Sequence, residues 1–192
     1  MQSVFDSWSR IQIWLEANTP SGTEFLAPGA TGHQIEEAEK ILGTRFPDDV
    51  RQSYLLYNGS PQADSLAIFE YGEFLSLQRM VEDWGVWKGI YDEDEEFRGY
   101  KTEPDRGIQN GWWRHGWIPF CANGSGDSLC VDLDPSENGT CGQVLELVHD
   151  YSHRPLLASS FSLYLSNYAD ALEAGEFGFD PDFGVVPIGW LE

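Results

Sequence analysis

Three segments near the start of the chain space their hydrophobic residues as an amphipathic α-helix does. Ser3 precedes Asp6, and Thr31 precedes Gln34, at the spacing of a capping box. Pro47 suits the first position of the third helix, which Asn58-Gly59 would end. The hydrophobic stripes of the three predicted helices are Val4, Phe5, Trp8, Ile11 and Leu15; Ile35, Ala38, Ile41 and Leu42; and Val50, Tyr54 and Tyr57.

The middle of the chain is less regular. Residues 66–69 favour a short strand, and residues 75–87 place Leu77, Met80, Val81 and Trp84 on one face of a helix. Residues 88–116 show no sustained period. A connection of this length is uncommon in a compact domain, so it either has a function or contains a short helix.

From Trp117 onwards the hydrophobic period changes to two, which predicts strands over 117–121, 128–133 and 143–148. Pro119 cannot donate a ladder hydrogen bond and therefore predicts an edge or a bulge. Ser159 or Ser160 caps a last helix that ends at Gly175, and the order of the segment from Glu176 stays open. Helices, an antiparallel meander and a closing helix predict an α+β fold: a single domain with a mixed, mainly antiparallel sheet flanked by N-terminal helices and a C-terminal helix.

Composition narrows the partners that the chain can bind. Eleven Lys and Arg against 32 Asp and Glu leave a net charge of −21. Such a surface repels phosphate backbones and anionic lipids, so we expect no nucleic-acid or membrane binding and instead a protein partner with a basic surface. No segment resembles a signal peptide or a membrane span. The three cysteines lack the spacing of a zinc site and predict reduced thiols in the cytoplasm.

Catalytic and metal-binding patterns are weak. Ser125 lies between glycines, but Asn123 occupies the first glycine position of a nucleophile elbow, and a strand follows instead of a helix. Asp127, Asp132 and Asp134 match no EF-hand loop, and turn formation explains them equally well. We therefore predict no catalytic residue, no metal site, no cofactor and no enzyme activity.

Two features of residues 88–116 favour protein contacts. The run Asp92, Glu93, Asp94, Glu95 and Glu96 is either a solvated surface or a site for Lys and Arg of a partner. Trp112 and Trp113 are adjacent and cannot both face inward in an extended chain, so one is expected to be partly exposed. We predict that these seven residues bind a partner, and a sugar-stacking role for the two tryptophans is a further alternative.

The order of several short motifs resembles the Smi/Knr family of cell-wall assembly regulators, the founding branch of the SUKH superfamily. These motifs are Phe46-Pro47-Asp48, Tyr57-Asn58-Gly59, Trp117-Ile118-Pro119-Phe120, Asn123-Gly124-Ser125-Gly126-Asp127, Asp132-Leu133-Asp134-Pro135, Gly142-Gln143-Val144 and Ser160-Phe161. The resemblance covers residues 31–177, with an N-terminal extension over 1–30 and a tail over 178–192. It implies an α+β fold and structural roles for Trp117, Pro119, Gly126, Asp127, Asp132, Pro135 and Gly142.

The resemblance also implies a binding module without a catalytic set. Bacterial members of this family are implicated as immunity proteins that neutralise secreted toxins, often nucleases or deaminases. Together with the net charge of −21, this favours an immunity protein that binds a basic toxin domain directly. The alternative is a regulatory scaffold or adaptor in cell-wall synthesis or signalling, as the fungal members imply. The oligomeric state stays open.

Overall fold

A computed structural model describes residues 3–20, 24–61, 66–69 and 72–191. Its α-helices are α1 (Val4–Asn18), α2 (Gly32–Leu42), α3 (Asp48–Leu56), α4 (Leu77–Glu93), α5 (Glu95–Gly99) and α6 (Phe161–Glu173). The capping residues are as predicted: Ser3 and Thr31 accept the amides of Asp6 and Gln34, and Ser160 accepts that of Leu163. Side-chain capping therefore sets the starts of α1, α2 and α6.

One antiparallel sheet forms the centre of the molecule. Its strands are β1 (Glu73–Phe74), β3 (Trp117–Ala122), β4 (Ser128–Asp132), β5 (Gln143–Leu147) and β7 (Leu156–Ala158), in the order β1-β3-β4-β5-β7. A second pair joins β2 (Glu103–Pro104) to β6 (His153–Arg154) in parallel, and a hairpin joins β8 (Phe177–Asp180) to β9 (Gly184–Pro187). A 3₁₀ helix covers Ile188–Trp190. The α+β fold is confirmed.

Aromatic side chains fill the core between the sheet and the helices. The ring centroids of Phe69 and Phe120 lie 5.7 Å apart, and those of Phe120 and Phe161 lie 5.0 Å apart at an interplanar angle of 90°. Such edge-to-face pairs are favourable beyond the area that they bury. The sheet and α6 are therefore joined through one continuous aromatic cluster.

Both segments predicted to flank the family-like region pack onto this core. Trp8 of α1 is 1% exposed, donates to Ser53 Oγ at 2.8 Å and packs 5.3 Å from Phe74. At the other end, Val185 of β9 is buried, and its amide donates to Ala67 O at 2.8 Å. The segment from Glu176 thus forms an ordered hairpin, while the predicted division into 1–30, 31–177 and 178–192 stays a prediction.

Several local predictions are wrong. Phe5 and Ile41 are 63% and 61% exposed, because each lies at the border of its helical stripe. Residues 66–69 form only isolated bridges, and the first strand of the sheet is β1. Pro47 precedes α3 as its N-cap residue. By contrast, the prediction of an edge or a bulge at Pro119 is confirmed as a bulge, between Pro119 and Cys121 of the inner strand β3.

Replacing Trp8 tests whether α1 belongs to the folded core. Trp8→Ala removes a fully packed indole, and we expect the free energy of unfolding to fall by about 3–5 kcal/mol. Phe5→Ala is the matched control on the same helix, since Phe5 is 63% exposed. Equilibrium denaturation in urea measures both. Equal midpoints for Trp8→Ala and the unchanged chain would show that α1 is a dispensable attachment.

Candidate functional site

The acidic run lies where α4 meets α5. Asp92 and Glu93 end α4, Asp94 is the N-cap residue of α5, and Glu95 and Glu96 form its first turn. Asp94 Oδ1 accepts the amides of Glu96 at 2.8 Å and Phe97 at 3.4 Å. Carboxylates at a helix N-terminus interact favourably with the helix dipole. The run therefore stabilises α5 and leaves Glu93, Glu95 and Glu96 exposed to solvent. We call residues 92–96 the acidic face.

Neighbouring hydrogen-bond donors surround the C-terminal end of α4, where a carboxylate is unfavourable. Asp92 forms an ion pair with Lys88 and lies 2.9 Å from His115 Nε2. The hydrogen bond from Lys88, followed by that from His115, lowers the pKa of Asp92. Arg98 of α5 donates to Tyr91 O at 3.2 Å. Asp92 is thus held in a network within the chain, although its side chain is 39% exposed. Glu93, Glu95 and Glu96 are exposed as well, and Glu95 lies 3.6 Å from Arg98 in an ion pair.

The two adjacent tryptophans support the acidic face from beneath. The ring centroid of Trp112 lies 4.4 Å from that of Phe97 in α5 and 5.0 Å from that of Trp87 in α4. The ring of Trp113 lies 5.6 Å from Tyr91 and 6.2 Å from Trp84. Each tryptophan therefore packs against α4, and Trp112 also packs against α5.

The expected partial exposure of one of these tryptophans is wrong. Trp112 is 8% exposed and Trp113 only 1%. The chain bends at residues 111–112 instead of running extended, so both rings turn inward. Trp112 Nε1 donates to His149 O at 3.0 Å, which satisfies its polar atom. Neither ring is offered to a partner, and any part that they play in binding is through the helices that they support.

Arg154 is a buried cation that holds the loop with the tryptophans to the end of the sheet. Its side chain is fully buried. The guanidinium donates to Trp112 O at 2.9 Å and to Val148 O at 3.2 Å. It also donates to His153 O at 2.8 Å and to Tyr151 O. Burial lowers the pKa of Arg154. Backbone carbonyls thus take the place of a carboxylate partner.

The turn between β3 and β4 explains two of the family-motif residues. Gly126 has φ +107°, and a Cβ there would lie 3.0 Å from His149 Nδ1. Asp127 Oδ1 accepts the backbone amide of His149 at 3.1 Å and lies 2.9 Å from its Nδ1. Burial acts to raise the pKa of Asp127, but these hydrogen bonds and one from Asn123 outweigh it and lower the pKa. The turn is therefore fastened to the chain that follows β5.

The remaining motif residues shape the other end of the sheet. Asp132 is fully buried, and its carboxylate accepts the amide of Asp134 at 2.9 Å and Nε2 of Gln143 at 2.8 Å. Burial is the main cause that raises the pKa of Asp132. Gly142 has φ +93°, and a Cβ there would lie 3.0 Å from Pro47. Trp117 is fully buried, and Pro119 lies in the buried strand β3. Pro135 packs against Gly139.

An open cavity of about 570 Å³ lies beside the turn between β3 and β4. Its lining includes Asp127, His149 and the exposed ring of Tyr151. Within the described residues, no three His, Cys, Asp or Glu side chains converge as ligands for a metal. Sequence reasoning missed Arg154 and the role of His149. Neither residue lies in a sequence motif. Their partners, Asp127 for His149 and Trp112 O for Arg154, are distant in sequence and meet them only in the folded chain.

The fold and the placement of these motifs define an α+β domain built on one antiparallel sheet, with its motif residues at the strand ends. A family model described as "SMI1 / KNR4 family (SUKH-1)" matches residues 29–167, and the chain belongs to this family. The resemblance drawn from the sequence motifs is therefore confirmed.

Relatives with curated names cover nearly the whole chain. The "Glucan synthesis regulatory protein" of Neurospora crassa is 25% identical over 93% of this chain and 40% of its own length. The "Cell wall biosynthesis/cell cycle regulator smi1" of Schizosaccharomyces pombe is 26% identical over 93% of the chain and 38% of its own length. The "Cell wall assembly regulator SMI1" of Saccharomyces cerevisiae is 22% identical over 89% of the chain and 41% of its own length.

These relatives are named as regulators and not as enzymes. The chain spans about two fifths of the length of these curated relatives. No helix in the described part of the chain is both long and apolar enough to cross a bilayer.

Removing the buried guanidinium tests what holds the acidic face in place. In Arg154→Met, the buried carbonyl of Trp112 and the partly buried carbonyl of Val148 lose their donor, and an unsatisfied buried carbonyl costs about 1–3 kcal/mol. We expect the free energy of unfolding to fall by at least about 2 kcal/mol, with faster amide hydrogen exchange in α5.

Arg106→Met is the matched control, because Arg106 is exposed and donates to Asn138 at 3.1 Å. Denaturant titration and hydrogen-exchange mass spectrometry compare the two variants. Unchanged exchange in α5 of Arg154→Met would contradict the supporting role of Arg154.

Proposed function

We propose that this chain is a regulatory protein-binding module of cell wall glucan synthesis, which acts in the cytoplasm through contacts and without catalysis. The observation that carries the proposal is the match to cell wall regulators along nearly the whole chain, 93% of it for the Neurospora crassa protein. The likeness extends beyond residues 29–167, which the family model matches.

The surface charge supports a protein partner. Glu93, Glu95 and Glu96 are exposed on two helices whose undersides rest on buried tryptophans. A fixed array of carboxylates attracts a basic surface, and complementary potentials can raise association rates by about 10- to 1,000-fold. Because the helices are supported from beneath, binding would require little ordering of the backbone.

The relatives favour this regulatory alternative over the toxin-immunity prediction. The three relatives described above are named for glucan synthesis or the cell wall, and none for toxin immunity. The negative charge agrees with either partner, since both a basic toxin and a basic regulatory partner would be attracted. Toxin immunity stays a prediction from the sequence.

Exchange of the matched segment tests the proposal. In Neurospora crassa, this chain replaces the corresponding part of the glucan synthesis regulatory protein, and wall glucan is measured against a strain that lacks that part. We expect the chain to restore wall glucan towards the parental amount. Wall glucan that stays at the level of the deleted strain would contradict the proposed function.

A variant of the acidic face tests the surface through which the chain acts. The triple change Glu93→Gln, Glu95→Gln and Glu96→Gln removes three exposed carboxylates and the ion pair of Glu95 with Arg98, but no core contact. We expect weaker restoration of wall glucan, because slower association lowers occupancy at a given partner concentration. The matched control changes three exposed glutamates elsewhere, Glu36→Gln, Glu37→Gln and Glu137→Gln. Equal restoration by the two triple variants would remove the acidic face from the proposal.

A further inference from the structure

A groove separate from the acidic face runs along the last turns of α1. It has a volume of about 670 Å³ and lies between α1, the segment 24–28 and Tyr57. Gln12 to Thr19 cover roughly 10 Å of helix axis, the length of about three residues of extended chain. The groove is thus large enough for a short peptide segment.

The floor and walls of the groove are apolar and firmly held. Leu15 and Phe25 are each 5% exposed, and Leu26 is half-buried beside them. Phe25 packs edge-on against Phe179 at 6.2 Å. The amide of Ala27 donates to Gly59 O at 2.8 Å, which fixes the wall to the loop that follows α3. The groove therefore belongs to the folded structure.

The charges around this apolar floor have one sign. Glu16 and Glu24 line the groove and are exposed. Glu16 accepts a hydrogen bond at 3.0 Å from the neutral amide of Gln12. Of the described residues that line the groove, none is a lysine, arginine or histidine.

The end of α1 adds a further negative field. The C-terminus of a helix carries a partial negative charge that favours nearby cations. The last turn of α1 holds no basic residue. The last turn of α4 likewise holds no basic residue, but there Lys88 pairs with Asp92 and Arg98 of α5 donates to Tyr91 O. At α1 two carboxylates and the helix end therefore meet with no basic residue among those that line the groove.

We propose that this groove is a docking site for a partner protein segment in which apolar side chains are flanked by lysine or arginine. The apolar groups would cover Leu26, Pro20 and Pro28 above the buried Leu15 and Phe25, and the cations would face Glu16 and Glu24. A second copy of this chain is disfavoured, because each copy carries a net charge of −21. The inference deepens the proposed function, since it rests on the chain acting through protein contacts.

Selection from a phage-displayed library of random dodecapeptides on the full chain tests the groove. We expect the selected peptides to carry Lys or Arg beside aliphatic or aromatic residues. A selected peptide should bind the double variant Glu16→Gln and Glu24→Gln about tenfold more weakly, because two charge pairs are lost. It should bind the control Glu36→Gln and Glu37→Gln with unchanged affinity. Fluorescence anisotropy measures each dissociation constant.

A citrulline peptide isolates the charge from the shape. Citrulline replaces each arginine of the selected peptide and keeps its shape without its charge. We expect this peptide to bind the unchanged chain and the groove variant equally. Failure to select any binder, selected peptides without basic residues, or full affinity for the groove variant would overturn the proposal.

The same peptides separate this inference from the proposed function. Binding that survives in the groove variant but is lost when Glu93, Glu95 and Glu96 are changed to Gln would move the site to the acidic face. That outcome overturns the proposal that the groove is the docking site, and it does not affect the proposed regulatory function. Failure of the segment exchange to restore wall glucan, with peptide binding in the groove intact, would overturn the function alone.

Discussion

The buried guanidinium of Arg154 organises the part of the molecule that presents the acidic face. It donates to carbonyls of the chain around β6 and to Trp112 O, 2.9 Å away in the loop before β3. Burying a cation is costly unless hydrogen bonds satisfy it. The carbonyls satisfy the two terminal nitrogens of the guanidinium, while its buried Nε has no hydrogen-bond partner among the described residues. The bond to Trp112 O ties the loop that carries both tryptophans to β6, and this loop packs against α4 and α5.

Helix ends account for where the excess negative charge is tolerated. At the start of α5 the carboxylates cap the helix and interact favourably with its dipole. At the end of α4 the unfavourable position of Asp92 is compensated by Lys88 and His115. At the end of α1 the last turn holds no basic residue, and Glu16 and Glu24 line the groove beside it. The direction of the helix dipole thus explains both why the acidic face is stable and why the groove at the end of α1 suits a cation from a partner.

Local sequence patterns predict the elements whose boundaries depend on neighbouring residues in the chain. The capping residues Ser3, Thr31 and Ser160 placed the starts of three helices, and strict alternation placed β4. Features decided by distant contacts could not be predicted in this way. Residues 73–74 become a strand because they pair with Cys121 and Ala122, and residues 111–112 bend so that Trp112 and Trp113 both face inward. The acidic run was recognised from composition, but its support by Trp112, Trp113 and Arg154 required the fold.

The proposed regulation of glucan synthesis depends on a partner that docks on the acidic face. Photo-cross-linking in living Neurospora crassa tests it most directly, with a genetically encoded cross-linking amino acid in place of Glu95 or, as the control, in place of Glu37. We expect cross-links from the position of Glu95 to a basic surface of a protein of glucan synthesis, and far fewer from the position of Glu37. Equal cross-linking from both positions, or cross-links only to proteins unrelated to the cell wall, would contradict it.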